Sequence, residues 1–85
     1  MKLATVSTDK TVHDFKVLLE PDKEAGGYVA PCPALVGCFS QGETIEEVLK
    51  NIKEAILLCI EDMQAHGEPI PDDSATLIAN ILVEV

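Results

Sequence analysis

The feature that most constrains the fold is a capped, amphipathic helix predicted between residues 44 and 67. Thr44 followed three residues later by Glu47 forms a capping box at its start. Gly67 is a natural C-cap, and Pro69 blocks further helix. Apolar residues recur at helical spacing between these signals, namely Ile45, Val48, Leu49, Ile52, Ala55, Ile56, Cys59, Ile60 and Met63. One face of the helix must therefore be covered by another layer.

Three short strands are predicted before the helix. Residues 14–20 alternate in polarity, which is typical of a half-buried strand. The apolar face of this strand consists of Phe15, Val17 and Leu19. Residues 28–32 form a second strand, which should end at Pro31 or lie near an edge because prolines lack the amide donor. A short third strand surrounds residues 38–40, and glycines bracket it.

The end of the chain predicts a fourth strand over residues 78–85. Ala79, Ile81, Val83 and Val85 share one face, and the nearly continuous apolar character favours a position inside the sheet. The predicted fold is α+β, a two-layer β-β-β-α-β sandwich in which the helix crosses over to add the last strand. We assign residues 14–85 to this domain and residues 1–13 to an N-terminal arm or edge strand.

The net charge of the chain limits the kinds of molecule that it can be expected to bind. The chain carries 15 acidic and 6 basic residues, for a net charge of −9. Such a surface repels phosphate backbones and anionic lipids, so neither direct nucleic-acid binding nor membrane binding is expected. A basic protein partner fits better. The sequence shows no signal peptide, and its three cysteines, an odd number, fit a reducing compartment, so we expect a cytoplasmic protein.

The residues that could carry chemistry form no catalytic pattern. Cys32, Cys38 and Cys59 lack the C-x-x-C spacing of a thiolate metal site, so we interpret them as structural. The acidic residues cluster along turns or point outward from the helix, which favours a solvated face over a metal-dependent active site. No nucleophile elbow, triad or phosphate-binding loop is present. We therefore predict no catalytic residue, no metal site, no cofactor and no enzymatic activity.

Leu57 and Leu58 lie outside the apolar arc of the predicted helix, among charged residues. Isolated exposed leucines are common and need no special cause. A second interpretation is a surface for self-association, which would also help a domain of only 85 residues whose core is thin. Both interpretations stay open at this point, and we expect a homo-oligomer, either a dimer or a tetramer.

Six segments resemble the HicB-like antitoxin domain in order and in spacing. They are Glu20-Pro21-Asp22, Gly26-Gly27-Tyr28-Val29-Ala30, Pro33-Ala34-Leu35-Val36-Gly37-Cys38, Ser40-Gln41-Gly42-Glu43-Thr44-Ile45-Glu46-Glu47, Glu54-Ala55-Ile56 and Gly67-Glu68-Pro69-Ile70-Pro71. The resemblance covers residues 14 to about 74, roughly three quarters of the chain. It implies a degraded RNase H-like fold with β-β-β-α-β order, in agreement with the pattern of strands and helix above.

The resemblance also implies the antitoxin half of a type II toxin–antitoxin pair. The toxin of such a pair, HicA, is a small basic mRNA endonuclease, which the antitoxin binds and masks. Complete antitoxins of this kind usually append a DNA-binding domain, for which this chain has no room after the fourth strand, so operator binding is not expected. An acidic domain suits the masking task, because complementary charge speeds and orients docking.

The sequence therefore predicts a protein-binding module that neutralises a HicA-type toxin. The candidate partner-binding residues are Glu20, Asp22, Glu24, Tyr28, Glu43, Glu46 and Glu47. One alternative is an orphan regulatory or structural domain of the same fold. The other is a residual metal-dependent nuclease, which would require carboxylates from separate strands and the helix to converge.

Overall fold

The sheet consists of three antiparallel strands in a computed structural model that describes residues 12–85. The strands are β1 (Glu20–Pro21), β2 (Tyr28–Pro31) and β3 (Phe39–Gly42), in the spatial order β1-β2-β3. One helix, α1 (Ile45–Ala65), follows β3 directly. The α+β class is thus confirmed, whereas the arm predicted for residues 1–13 lies almost wholly outside the described residues.

The first strand is shorter than its alternation predicts. Glu20 pairs with Val29, and a hydrogen bond from the Leu18 N–H to the Pro31 carbonyl (3.0 Å) continues the pairing towards the N-terminus. Residues 14–19 themselves belong to no strand, although Phe15 and Val17 pack against the core as the alternation predicts. The pattern therefore identified the inward face correctly at Phe15 and Val17 but not at Leu19, which is 38% exposed because the chain approaches the short strand β1 there.

A tight turn joins β1 to β2. The Asp22 side chain accepts hydrogen bonds from the backbone N–H groups of Glu24 and Ala25, both at 3.1 Å, in an Asx-turn arrangement. Gly26 and Gly27 follow with φ of 81° and 74°, a region that glycine enters without steric cost. The Gly-Gly pair therefore serves the turn, as the sequence predicted.

The structure confirms the predicted N-cap of α1 and moves the predicted C-cap by one residue, from Gly67 to His66. Thr44 adopts an extended conformation, and its hydroxyl accepts a hydrogen bond from the Glu47 N–H at 3.1 Å. The Glu47 carboxylate in turn accepts from the Glu43 N–H at 2.6 Å, one residue before the position usual in a capping box. At the other end His66 is the cap residue and Gly67 follows with φ of 69°.

The core lies between the inner face of the sheet and α1. Its buried members come from β2, the β2–β3 connection and the helix: Ala30, Cys32, Leu35, Cys38, Val48 and Ile52. Further helical residues of the predicted stripe pack against it, namely Ala55, Ile56, Cys59 and Met63. Ile45 and Leu49, at the end of the arc nearest the helix start, are more than 40% exposed.

The predicted fourth strand is not part of the described sheet. Residues 76–85 adopt neither strand nor helix, and Ile81 and Val83, predicted to face inward, are 79% and 75% exposed. The prediction of an interior strand is therefore wrong for the single chain. Alternation shows that a segment has a face suited to burial, but it does not show which strand pairs with it. The finer RNase H-like arrangement, which includes this strand, remains a prediction.

Among residues 12–85, no helix combines the length and the apolar character that a membrane crossing requires.

Candidate functional site

A cleft of about 530 Å³ lies where the β1–β2 turn, the end of β3 and the first turns of α1 meet. Its ten lining residues are Asp22, Ala25, Gly26, Tyr28, Ser40, Gln41, Gly42, Glu43, Glu47 and Asn51. Three of them are carboxylates and none is Lys, Arg or His. We refer to this site as the acidic cleft.

Two glycines let the three elements around the cleft approach closely. A Cβ atom on Gly42 would lie 2.6 Å from the backbone nitrogen of Val48, so the helix packs directly on the strand. A Cβ atom on Gly27 would overlap the carbonyl oxygen of Gly42. Real Cβ contacts are never that short, so these positions bring main chain against main chain at one side of the cleft.

Hydrogen bonds fix the helix start against β3. Asn51 donates from its side-chain amide to the Gln41 carbonyl at 2.8 Å. One turn earlier, the Glu47 carboxylate is held by the Glu43 N–H. Acidic side chains near a helix N-terminus also interact favourably with the helix dipole. The cleft therefore presents negative charge from a rigid frame.

Four of the seven predicted partner-binding residues line the acidic cleft together. These are Asp22, Tyr28, Glu43 and Glu47. Glu24 belongs to the same turn as Asp22 and is exposed, but it does not line the cleft. Glu46 is likewise exposed beside it, in the first turn of α1.

Glu20 lies apart from this group. It contributes to a separate shallow hollow formed by the outer ends of the strands and the β2–β3 connection, together with Val29, Pro31 and Phe39. The seven predicted residues therefore divide into four that line one cleft, two beside it and one elsewhere.

Sequence reasoning missed Asn51, Gln41 and Ser40 as lining residues. Asn51 is polar and lies on the outer side of the predicted helical arc, so no local pattern distinguishes it from a solvated residue. A signal for the site did exist in Gly42, because a glycine between a strand and a helix often marks a close backbone approach.

The cysteines occupy the core, as the structural interpretation requires for Cys32 and Cys38, which are buried and free of disulfides. Burial, with a hydrogen bond to Cys59, raises the pKa of Cys38 to about 12. Burial also raises the pKa of Cys32. Both thiols are therefore protonated at neutral pH and poor nucleophiles. Within residues 12–85 no group of three or more His, Cys, Asp or Glu residues is placed to hold a metal ion.

A second hollow, the apolar groove, lies between residues 13–17 and one side of α1. Its volume is about 350 Å³, and it is lined by His13, Phe15, Val17, Ile52, Lys53, Ile56, Leu57 and Ile60. Leu57 thus lines the groove, half exposed, whereas Leu58 is 66% exposed outside it. The two leucines that the sequence singled out therefore lie on different surfaces.

Comparison with known proteins gives one consistent result. A family model described as the HicB-like antitoxin of bacterial toxin–antitoxin systems matches residues 15–84. A UPF0150 protein of Synechocystis is 48% identical over 66 residues, which cover 78% of this chain and 82% of the relative. A UPF0150 protein of Thermoplasma acidophilum is 49% identical over 61 residues, covering 72% and 87% respectively. A UPF0150 protein of Archaeoglobus fulgidus is 38% identical over 47 residues, covering 55% and 67%.

Proposed function

The chain belongs to the HicB-like antitoxin family of bacterial toxin–antitoxin systems, and on that basis we propose that it is an antitoxin that binds a small basic ribonuclease of the HicA type through the acidic cleft. The antitoxin masks the RNA-binding surface of the toxin and takes no part in bond making. The observation that carries this proposal is the convergence of three carboxylates around one rigid hollow in a chain of net charge −9.

The electrostatics of the cleft support a basic partner. Asp22, Glu43 and Glu47 contribute negative charge from two elements, the β1–β2 turn and the helix start. Glu24 and Glu46 extend the same charge beyond the rim. A protein that binds RNA carries a positive surface. The acidic cleft attracts that surface, and salt screens the attraction over a Debye length of about 8 Å at physiological ionic strength. Such complementarity raises the association rate and orients the docking.

The polar lining gives the cleft a means to select a partner as well as to attract one. Tyr28 presents a phenol with an apolar ring, a combination enriched at protein interfaces. Ser40 and Asn51 add hydroxyl and amide groups that hydrogen-bond neutral or charged side chains. An arginine suits this lining, because its planar fork of donors matches a carboxylate with two hydrogen bonds.

The decisive test measures binding to a small basic ribonuclease of the HicA type, taken first from any gene that lies beside the one for this chain. We expect co-purification of the two proteins and a Kd that weakens steeply between 50 mM and 500 mM salt. The variant Glu43→Gln with Glu47→Gln removes two charges from the cleft, while the glutamine at 47 keeps an oxygen for the Glu43 N–H. We expect this double variant to weaken binding at least about tenfold, mainly through the association rate.

The matched control is Glu54→Gln with Glu61→Gln, which removes the same charge from exposed helical positions outside the cleft. We expect it to change the Kd less than about threefold, because diffuse charge acts only through the screened field. Equal losses in both double variants would show that net charge alone, and no specific cleft, attracts the partner. If no basic protein binds at low salt, the chain is an orphan domain of this fold.

We also propose self-association, in which Leu57 and Leu58 contribute to separate contacts because they lie on different surfaces of α1. Leu57 is 52% and Leu58 66% exposed, and charged residues such as Lys53, Glu54 and Glu61 are their neighbours on the helix. A homo-oligomer would present several acidic clefts at once and bind several toxins. Sedimentation at micromolar concentration tests this, and a mass of 9.1 kDa would contradict it.

A further inference from the structure

The C-terminal segment Leu77–Val85 has the composition of a buried strand and the exposure of a solvated tail. Its six large apolar side chains are all more than half exposed, from 56% for Ile78 to full exposure at the terminal Val85. Its single charged residue is Glu84. Monomeric proteins rarely leave an apolar stretch of this size in water, and such a surface marks an interaction site.

The sheet has a free edge that matches this segment. In the described part of the chain, the strand order begins with β1, so the outer side of residues 12–18 faces no further strand. The apolar groove runs along that same side, between Phe15 and Val17 and the helix. An added strand at this edge would place one face of its side chains over the groove, because alternate residues of a strand point to the same face.

The chain attaches the start of its own C-terminal segment beside residue 16 and then leads it away. Lys16 donates from its backbone N–H to the Asp73 carboxylate at 2.8 Å, and its ammonium group contacts the Asp73 carbonyl at 3.2 Å. Asp73 is only 9% exposed, so the chain is firmly attached beside residue 16. A turn closed by the Thr76 N–H and the Asp73 carbonyl follows, and beyond it every residue is exposed.

We propose that Leu77–Val85 of one copy pairs with residues 12–18 of a second copy and covers the second copy's apolar groove. The exchange is reciprocal, because both copies carry the same segment and the same edge. Two such contacts related by a two-fold axis form a closed dimer, because each copy's segment and each copy's edge beside β1 are then both used. Exchange of an identical element is a low-cost route to a dimer, since it uses contacts that the chain already encodes.

Length and charge agree with this pairing. Nine extended residues reach about 30 Å, more than enough to run along the seven residues of the edge. The segment contributes an acidic residue, Glu84, and the groove a basic one, Lys53. The proposal does not depend on the toxin, because the apolar groove and the acidic cleft share no lining residue.

The first experiment measures the mass of the full chain by light scattering, without any partner. We expect twice the monomer mass of 9.1 kDa. The variant Ile81→Asp should be monomeric with an unchanged helical spectrum, because residue 81 touches no core residue in the single chain. Asn80→Asp is the matched control, since it adds the same charge at the neighbouring polar position on the other face, and it should remain dimeric.

A mixing experiment then tests that the segment binds the groove and not another segment. Leu57→Asp, in the groove, should also be monomeric. The Ile81→Asp variant has an unaltered groove, and the Leu57→Asp variant has an unaltered C-terminal segment. An equimolar mixture of the two should therefore form a heterodimer through one intact contact. A monomeric wild type would overturn the proposal, because no second copy would then cover the groove. A mixture that stays monomeric would overturn it as well.

Discussion

Helix α1 and the segment Leu77–Val85 are both rich in large aliphatic residues, yet the single chain buries one face of the helix and none of the segment. The difference lies in where backbone hydrogen bonds are made. A helix satisfies its own N–H and C=O groups internally, so its apolar stripe needs only a surface to pack on. A strand needs a neighbouring strand as well, and that neighbour can belong to another molecule.

This contrast explains the uneven use of the hydrophobic effect along the chain. Burying a large aliphatic side chain contributes roughly 1.5–3 kcal/mol. Burial of Leu35, Val48 and Ile52 stabilises the packed helix and sheet in this way. The six large residues of the segment are exposed in the monomer, so they add no such stabilisation there. For a domain of this size, whose total stability is expected to be about 5–10 kcal/mol, the unused part is substantial.

The largest effect is expected from Gly42→Ala, which attacks the contact between helix and sheet. The new methyl group would lie 2.6 Å from the Val48 nitrogen, so the helix must shift away from β3. We expect a loss of about 3 kcal/mol in the free energy of unfolding, measured with urea. Gly37→Ala is the control, since it meets nothing within 4 Å and should cost only about 1 kcal/mol through its positive φ.

A valine-to-alanine substitution should lower the stability of the protein in helix α1 but not in the segment Leu77–Val85. Val48 is fully buried under the sheet, so Val48→Ala should cost about 2 kcal/mol of unfolding free energy. Val83 is exposed in the segment, and Val83→Ala should change the value by less than about 0.5 kcal/mol in the monomeric Ile81→Asp background. Equal effects at the two positions would mean that the segment packs on the core of its own chain.

A smaller effect is expected at the helix cap, where the interaction is local. Thr44→Ala removes the hydroxyl that accepts from the Glu47 N–H and should cost about 1 kcal/mol of unfolding free energy. Thr44→Ser retains the acceptor and should cost less than half as much. Thermal unfolding followed by circular dichroism measures both, and identical midpoints for the two variants would contradict the role of the cap.

The smallest effect is expected at acid pH, on the hydrogen bond between the Lys16 N–H and the Asp73 carboxylate that attaches the C-terminal segment. The hydrogen bond from the Lys16 N–H, with one from Thr76, lowers the pKa of Asp73 below its ordinary value of 3.8. A carboxyl group with a lowered folded pKa stabilises the fold above the ordinary value and loses that contribution as the pH falls through the lowered one. The protection factor of the Lys16 amide, which is the ratio of its intrinsic to its observed exchange rate, should therefore fall below pH 3.8, and Asp73→Asn should remove that pH dependence.

The sequence predicted best what short-range patterns determine. The capping box at Thr44, the glycine after the helix and the inward face of Phe15 and Val17 all follow from residues within a few positions of one another. The acidic residues of the turn and of the helix start were likewise recognised, and they meet in one cleft because the Gly42 contact brings their elements together.

The remaining features depend on contacts between distant residues. Asn51 enters the cleft through a hydrogen bond to Gln41, ten positions away, and nothing in the helical pattern indicates it. Whether residues 78–85 form a strand depends on which sheet edge they pair with, and the alternation of apolar and polar residues does not specify that edge. Leu57 and Leu58 are adjacent in sequence, yet only the first lines the groove, because one helical step rotates the side chain by about 100°.

The attachment of Asp73 to Lys16 has a consequence for biosynthesis. Residues 12–67 contain the three strands and the helix, and the ribosome makes them before Leu77–Val85. The sheet and the helix can therefore pack within a single molecule, and the hydrogen bonds between Lys16 and Asp73 attach the segment beside them. Assembly with a second copy has to wait until the apolar segment has left the exit tunnel, which separates folding from assembly in time.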